Sequence, residues 1–156
     1  VLDLFCGIGN FTLPLATKSR EVVGIEGSAV LTKRAKDNAV HNQIDHKVSF
    51  LQSNLFEVDG SSIKSWGKAD RWLIDPPRDG AFELSKAIAE LRQSGDEQSL
   101  AYLPKRIVYV SCNPATLARD AGILVNDAGY VLKKAGVMNM FPHTSHVESM
   151  AVFDLA

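Results

Sequence analysis

Short apolar runs alternate with amphipathic stretches from one end of the 156-residue chain to the other. Val1–Phe5 reads as a strand, followed by a Gly-rich turn and a helix from about Asn10 to Lys18. Glu21–Ile25 is a second strand, and Ser28 has the chemistry of an N-cap for a helix running to about His41. Val30, Leu31, Arg34, Ala35, Asn38 and Ala39 form the inward stripe predicted for that helix. Lys47–Leu51 alternates as a third strand, residues 52–68 read as a loop holding a short helix, and Arg71–Ile74 is a short buried strand. Phe82–Gln93 is helical and the polar Ser94–Ser99 stretch loop-like. Arg106–Ser111 is the fifth strand. Pro114 then opens a helix to about Ala128, with Gly129 as its C-cap. Tyr130–Met138 and Val147–Leu155 are the last two strands.

Strands alternating with helices predict a parallel sheet of βαβ units. The gap between the last two strands is too short for a parallel crossover, so the seventh must run antiparallel. The expected fold is α/β, a doubly wound, mostly parallel seven-stranded sheet of Rossmann-like type with an antiparallel last strand.

Composition narrows the classes. Hydrophobic residues make up 46% of the chain, enough for a core without metal or disulfide staples. The two cysteines, Cys6 and Cys112, stand far apart with no CxxC, which argues against a disulfide framework or a zinc site. No apolar run approaches the ~20 residues that span a bilayer, and no signal peptide opens the chain, so a cytoplasmic protein is expected. Seventeen basic against eighteen acidic residues leave a net charge of −1, whereas a domain gripping nucleic acid by its own field is normally basic. The chain opens on Val1 inside an apolar strand, which reads as one domain, residues 1–156, cut from a longer protein at a domain edge.

Three strand ends carry chemistry. Gly7 and Gly9, between the first strand and its helix, allow a tight turn and close approach of a ligand to the backbone. Thr12 stands where a dinucleotide fingerprint wants its third glycine. Glu26, seventeen residues after Gly9, is placed to bind both hydroxyls of a ribose. A nucleoside ligand without a required pyrophosphate, such as S-adenosylmethionine, fits this set; a ligand-free glycine turn is the plainer reading. Asp75-Pro76-Pro77-Arg78 holds an acid on an extended, rigid segment at the end of the fourth strand. Cys112 follows the fifth strand beside a helix N-terminus, which favours negative charge on sulfur. Cys6 has no such neighbour and reads as a packing residue. Glu148 starts the antiparallel strand, so it returns to the edge holding Asp75 and Cys112; an outward-facing edge glutamate is the alternative. His143–Glu148 reads as an active-site loop and not a metal site, because it leads into a strand after Pro142. Trp66 and Trp72 read as packing.

Taken together, Asp3–Pro14, Asp75–Arg78, Ser111–Asp120 and His146–Ser149 resemble the RNA uracil-5-methyltransferases over essentially the whole chain. His143–Met150 is closer to the branch acting on 23S ribosomal RNA than to the transfer-RNA branch. The resemblance implies methyl transfer from S-adenosylmethionine to C5 of a uridine in RNA. It assigns Phe5, Gly7, Asn10, Glu26, Asn54 and Asp75 to the cofactor, Cys112 to the nucleophile and Glu148 to the base. It also implies RNA-binding and central domains N-terminal to this stretch, which would hold most of the RNA; neither DNA nor a membrane is an expected partner. Two rivals stay open: an amino-methyltransferase built on Asp75-Pro76-Pro77, and a non-catalytic RNA-binding module.

Overall fold

The computed structural model describes residues 1–140, 142–144 and 146–156. Seven strands form one sheet: β1 (Leu2–Leu4), β2 (Val22–Glu26), β3 (Val48–Gln52), β4 (Arg71–Ile74), β5 (Arg106–Ser111), β6 (Tyr130–Met138) and β7 (Glu148–Leu155). Their order is β3-β2-β1-β4-β5-β7-β6. β1 to β5 pair in parallel, and β7 lies antiparallel between β5 and β6. The doubly wound sheet and its reversed last strand are therefore as the pattern predicts. The first strand stops at Leu4, one residue short of the expected end, because Phe5 turns into the left-handed region at φ +63°.

The helices are α1 (Thr12–Ala16), α2 (Ala29–His41), α3 (Gly60–Ser65), α4 (Phe82–Gln93), α5 (Glu97–Leu100) and α6 (Pro114–Asn126). Caps set most of their starts. Ser28 accepts from Leu31 N at the head of α2, and Asn113 Oδ1 accepts from Ala115 N at the head of α6, with Pro114 next. Asp96 accepts from Gln98 N and Ser99 N, making a single helical turn within the stretch expected to be loop. α1 is shorter than its expected Asn10–Lys18, since the glycine turn runs on through Phe11.

One face of the sheet holds the main core. Leu2, Leu4, Trp72, Ile74, Ile107, Tyr109 and Phe153 pack there with Leu84, Ile88, Leu117 and Leu124 of α4 and α6. Burying a side chain of this size stabilises by about 1.5–3 kcal/mol. Trp66 and Trp72 join the same core, edge to face with centroids 6.3 Å apart. On the other face a smaller cluster joins Cys6, Ala35, Ala39 and Phe50. The buried stripe of α2 is Thr32, Ala35 and Ala39; Val30, assigned to it from periodicity, is 66% exposed. Gly24 is required at this contact, because a Cβ there would lie 2.7 Å from the Phe50 ring and 2.9 Å from Cys6 Sγ. No described helix is long and apolar enough to cross a membrane.

Candidate active site

The carboxyl ends of the parallel strands form one edge of the sheet, and the residues singled out above gather along it. Gly7 has φ +55°, and its N–H donates to Glu26 Oε2 at 3.0 Å. Ser28 N–H donates to the other oxygen, Oε1, at 2.9 Å. Glu26 is thus pinned at both oxygens between the glycine turn and the head of α2. A Cβ on Gly7 would meet nothing within 4 Å, so the glycine serves the backbone conformation and the space above the turn stays open. Phe5 leaves the strand in its left-handed conformation and meets Phe56 edge to face at 5.6 Å. Cys6 is buried, and burial, reinforced by the charges of Asp3 and Glu26, pushes its thiol up to about 12. That suits a packing residue.

Asp75 is half-buried, and its N–H donates to the Leu4 carbonyl across the sheet. Burial, and then the nearby charge of Glu148, raise its carboxyl to about 6. Asp3, on the neighbouring strand β1 and opposite Leu73 of β4, is fully buried and also raised to about 6. Burial is the main cause, opposed by the Thr12 hydrogen bond and assisted by Asp75. Its Oδ2 accepts from Thr12 Oγ1 at 2.5 Å, while its Oδ1 has no hydrogen-bond partner. Sequence reasoning gave Asp3 no role of its own; the available signal was an acid in the middle of the apolar run Val1–Phe5. Carboxyls held uphill of their ordinary range by burial and by each other favour a cation as ligand.

Cys112 and Glu148 reach this edge from β5 and β7. The β5–β7 ladder ends with Ser111 opposite Ser149, and one residue further along each strand stand Cys112 and Glu148. Both are half-buried. Ser111 Oγ accepts from Asn113 N at 3.0 Å, which fixes the turn that carries Cys112 into α6. Arg78, from the loop after Asp75, places its guanidinium 2.6 Å from Nδ1 of His146, two residues before Glu148. Ser145, within the expected His143–Glu148 loop, lies outside the described residues. Among the described residues no group of three His, Cys, Asp or Glu side chains is placed to hold a metal ion.

Two expected cofactor residues stand apart from this gathering. Asn54 is exposed, and its Oδ1 accepts from Phe56 N at 3.1 Å in a local turn. Asn10 is exposed and lines a cleft of about 610 Å³ with Ile8, Leu13, Asn38 and Asn42, which neither Asp75 nor Cys112 lines. A larger cleft, about 1160 Å³, opens at the opposite end of the strands among Arg20, Glu21, Asp70 and Lys105, and holds none of the expected site residues.

The family model described as tRNA (Uracil-5-)-methyltransferase matches residues 1–154. The chain is 68% identical to the 23S rRNA (uracil(1939)-C(5))-methyltransferase RlmD of Ralstonia pickettii (strain 12J), over 99% of this chain and 34% of that protein. It is 64% identical to the protein of the same description from Polynucleobacter necessarius, over 100% of this chain and 32% of the relative. It therefore spans about a third of the length of the curated relatives it matches. Among solved structures, the tRNA (uracil-54, C5)-methyltransferase of Pyrococcus abyssi in complex with S-adenosyl-L-homocysteine superposes with a TM-score of 0.74. Its identity is 32%, and the match covers 97% of this chain and 33% of that one.

Proposed function

This chain belongs to the tRNA (uracil-5-)-methyltransferase family, and on that premise we propose that it is the catalytic part of an enzyme that methylates C5 of a uridine in RNA, with 23S ribosomal RNA as the substrate. The observation that carries the reading is the end of the β5–β7 ladder, which leaves a thiol and a carboxylate as the next pair across two strands. The ribosomal assignment is supported by relatives at 64–68% identity that carry that description.

The residues fit S-adenosylmethionine by their chemistry. The buried, partnerless Oδ1 of Asp3 and the raised carboxyl of Asp75 suit a cationic ligand, and Glu26, already fixed at the end of β2, suits ribose hydroxyls. When bound, that cofactor supplies an electrophilic methyl group on a sulfonium. Phe5, Gly7, Asn10, Glu26, Asn54 and Asp75 would hold it, with Asn54 turning from its present bond to Phe56 N.

Cys112 acts on the base. Its thiolate adds to C6 of the uracil, forming a C6–S bond and moving electron density to C5, which then takes the methyl group as that group's bond to the sulfonium breaks and leaves a neutral thioether. Glu148 removes the remaining C5 proton, and the electron pair of that C–H bond restores the C5–C6 double bond as the C6–S bond breaks. Cys112 returns as thiolate, and Glu148 passes its proton to solvent. The target base must leave its stack to reach this edge. With a net charge of −1 here, most of the grip on RNA is assigned to other parts of the polypeptide.

The test is transfer of labelled methyl groups by the complete polypeptide to unmodified 23S ribosomal RNA, followed by nucleoside analysis. 5-Methyluridine is expected. A label on an exocyclic amine would favour the amino-methyltransferase, and no transfer the non-catalytic module.

A further inference from the structure

The loop that follows Asp75 is held almost wholly by one stripe of α6. Asn113, Thr116, Arg119 and Asp120 follow each other at helical spacing, and they bind successive backbone groups of the loop. Asn113 Nδ2 donates to the Arg78 carbonyl at 3.1 Å, and the Thr116 hydroxyl lies 3.2 Å from the same oxygen. Arg119 Nη2 donates to the Asp79 carbonyl at 2.8 Å. Asp120 Oδ2 accepts from Ala81 N at 2.7 Å. Gly80 lies against the stripe at φ +79°; a Cβ there would fall 2.7 Å from both Arg119 Nη2 and Asp120 Oδ2. No side chain larger than hydrogen fits.

Asp120 anchors the arrangement. It is fully buried, yet it takes the Tyr109 hydroxyl at 2.6 Å, Ala81 N–H, and Arg119 Nε at 2.8 Å. The Tyr109 hydroxyl in turn accepts from Ala81 N at 2.9 Å, so a residue of β5 joins the clamp. A buried carboxylate is costly unless it is so satisfied, and Asp120 lies on the buried face of α6 between Leu117 and Leu124, where its hydrogen bonds reach the loop and β5. The same helix carries Cys112 just ahead of its N-cap, and the clamped loop carries Arg78, whose side chain reaches His146 beside Glu148.

We propose that Asn113, Thr116, Arg119 and Asp120, with Tyr109, are positioning residues that fix the Pro77–Ala81 loop against Cys112, and so set the place of the target base between the loop and the nucleophile. The inference rests on the methyl-transfer reading above. These side chains act through the backbone they hold and touch neither reacting group.

Arg119→Lys keeps the charge but loses the fork that joins Asp79 to Asp120, and Asp120→Asn keeps the volume but loses the anion. In the complete polypeptide, both should lower kcat at least ten-fold while KM for RNA and Kd for S-adenosylmethionine stay within about three-fold. Ile88→Val, a buried change in α4 away from the loop, is the control. Assayed at the same interval below its own melting temperature, it should keep kcat within two-fold. Arg119 is half-exposed, so Arg119→Lys remains informative if Asp120→Asn fails to fold. A wild-type kcat in Arg119→Lys, or an equal loss in Ile88→Val, overturns the clamp while leaving the proposed function standing. Absence of methyl transfer by the wild type overturns both.

Discussion

Ser149 donates its hydroxyl to the Ser111 carbonyl at 3.0 Å, on the last rung that joins β5 to β7. The bond is buried and ties two strands whose positions are thirty-eight residues apart. It determines what comes next. In an antiparallel pair the register of one rung fixes its neighbours, so Cys112 and Glu148 hold matching places one residue beyond it only while Ser111 and Ser149 pair. The proposed chemistry needs that pairing, because the thiol must reach C6 and the carboxylate C5 of one uracil ring.

Cys112→Ala should abolish methylation, by at least 10³-fold, while the affinity for S-adenosylhomocysteine stays within about three-fold. The residue serves the bond to C6 and contributes nothing to the cofactor cradle at Glu26 and Asp75. Cys6→Ala should leave kcat within about ten-fold, since it only empties a small volume beside Phe50. Steady-state kinetics and calorimetry on the two variants check both halves. Near-normal turnover in Cys112→Ala would end the covalent mechanism.

Asp75 gives a pH dependence with a definite sign. Its carboxyl is raised to about 6 by burial and by Glu148. A cation bound beside it favours the carboxylate, so binding below about pH 6 must first remove a proton. The affinity for S-adenosylmethionine should therefore fall about ten-fold between pH 7 and pH 5. S-adenosylhomocysteine lacks the sulfonium charge and should show a shallower fall. Asp75→Asn should flatten the profile, which separates Asp75 from Asp3. A flat wild-type profile would place the cation elsewhere.

Much of this was legible in the sequence because local and long-range signals agree. Apolar runs of four or five residues bounded by glycine or proline mark strands, and too short a gap between β6 and β7 forces the reversal that brings Glu148 to Cys112. Other features depend on tertiary contact. Phe5 takes a left-handed conformation that no propensity of phenylalanine announces. Val30 satisfies the helical period of α2, yet the buried stripe is Thr32, Ala35 and Ala39, and Val30 stays in water. The family resemblance assigns Asn54 to the cofactor; that its side chain accepts from Phe56 N in a local turn is a tertiary detail the sequence does not announce. The stripe Asn113–Asp120 is visible in the sequence as polar positions on a helix. That it grips residues 78–81 follows only once β4 and β5 are neighbours.

Asp3 should make stability depend on pH in a direction opposite to most acids. Its folded value of about 6 lies above the ordinary 3.8, so the folded chain binds this proton more tightly than the unfolded one. The stability it contributes is complete below about pH 4 and is lost as pH rises through 6. Asp3→Asn removes that loss. Relative to wild type, the variant should gain about 1–3 kcal/mol between pH 4 and pH 8. Urea unfolding at the two pH values checks the difference between the curves, which cancels the other acids. No gain, or a gain in the reverse direction, would show that Asp3 is not held uphill.

Glu148→Gln separates the last step from the earlier ones. The amide keeps the shape of the carboxylate at the start of β7, and Ser149 still fixes the rung beside it. Cys112 can then add to C6, and C5 can take the methyl group, but the C5 proton has no acceptor. With that proton in place the electron pair that expels sulfur is unavailable, and the C6–S bond persists. The variant should accumulate a covalent protein–RNA adduct that needs both RNA and S-adenosylmethionine and survives a denaturing gel as a shifted band. Cys112→Ala in the same background should remove the band, because the bond in question is the one to Cys112. Loss of turnover without an adduct would put Glu148 earlier in the reaction, in placing the base or forming the C6–S bond. Normal turnover would take it out of the mechanism and leave Asp75, whose carboxyl burial raises to about 6, as the group to test next.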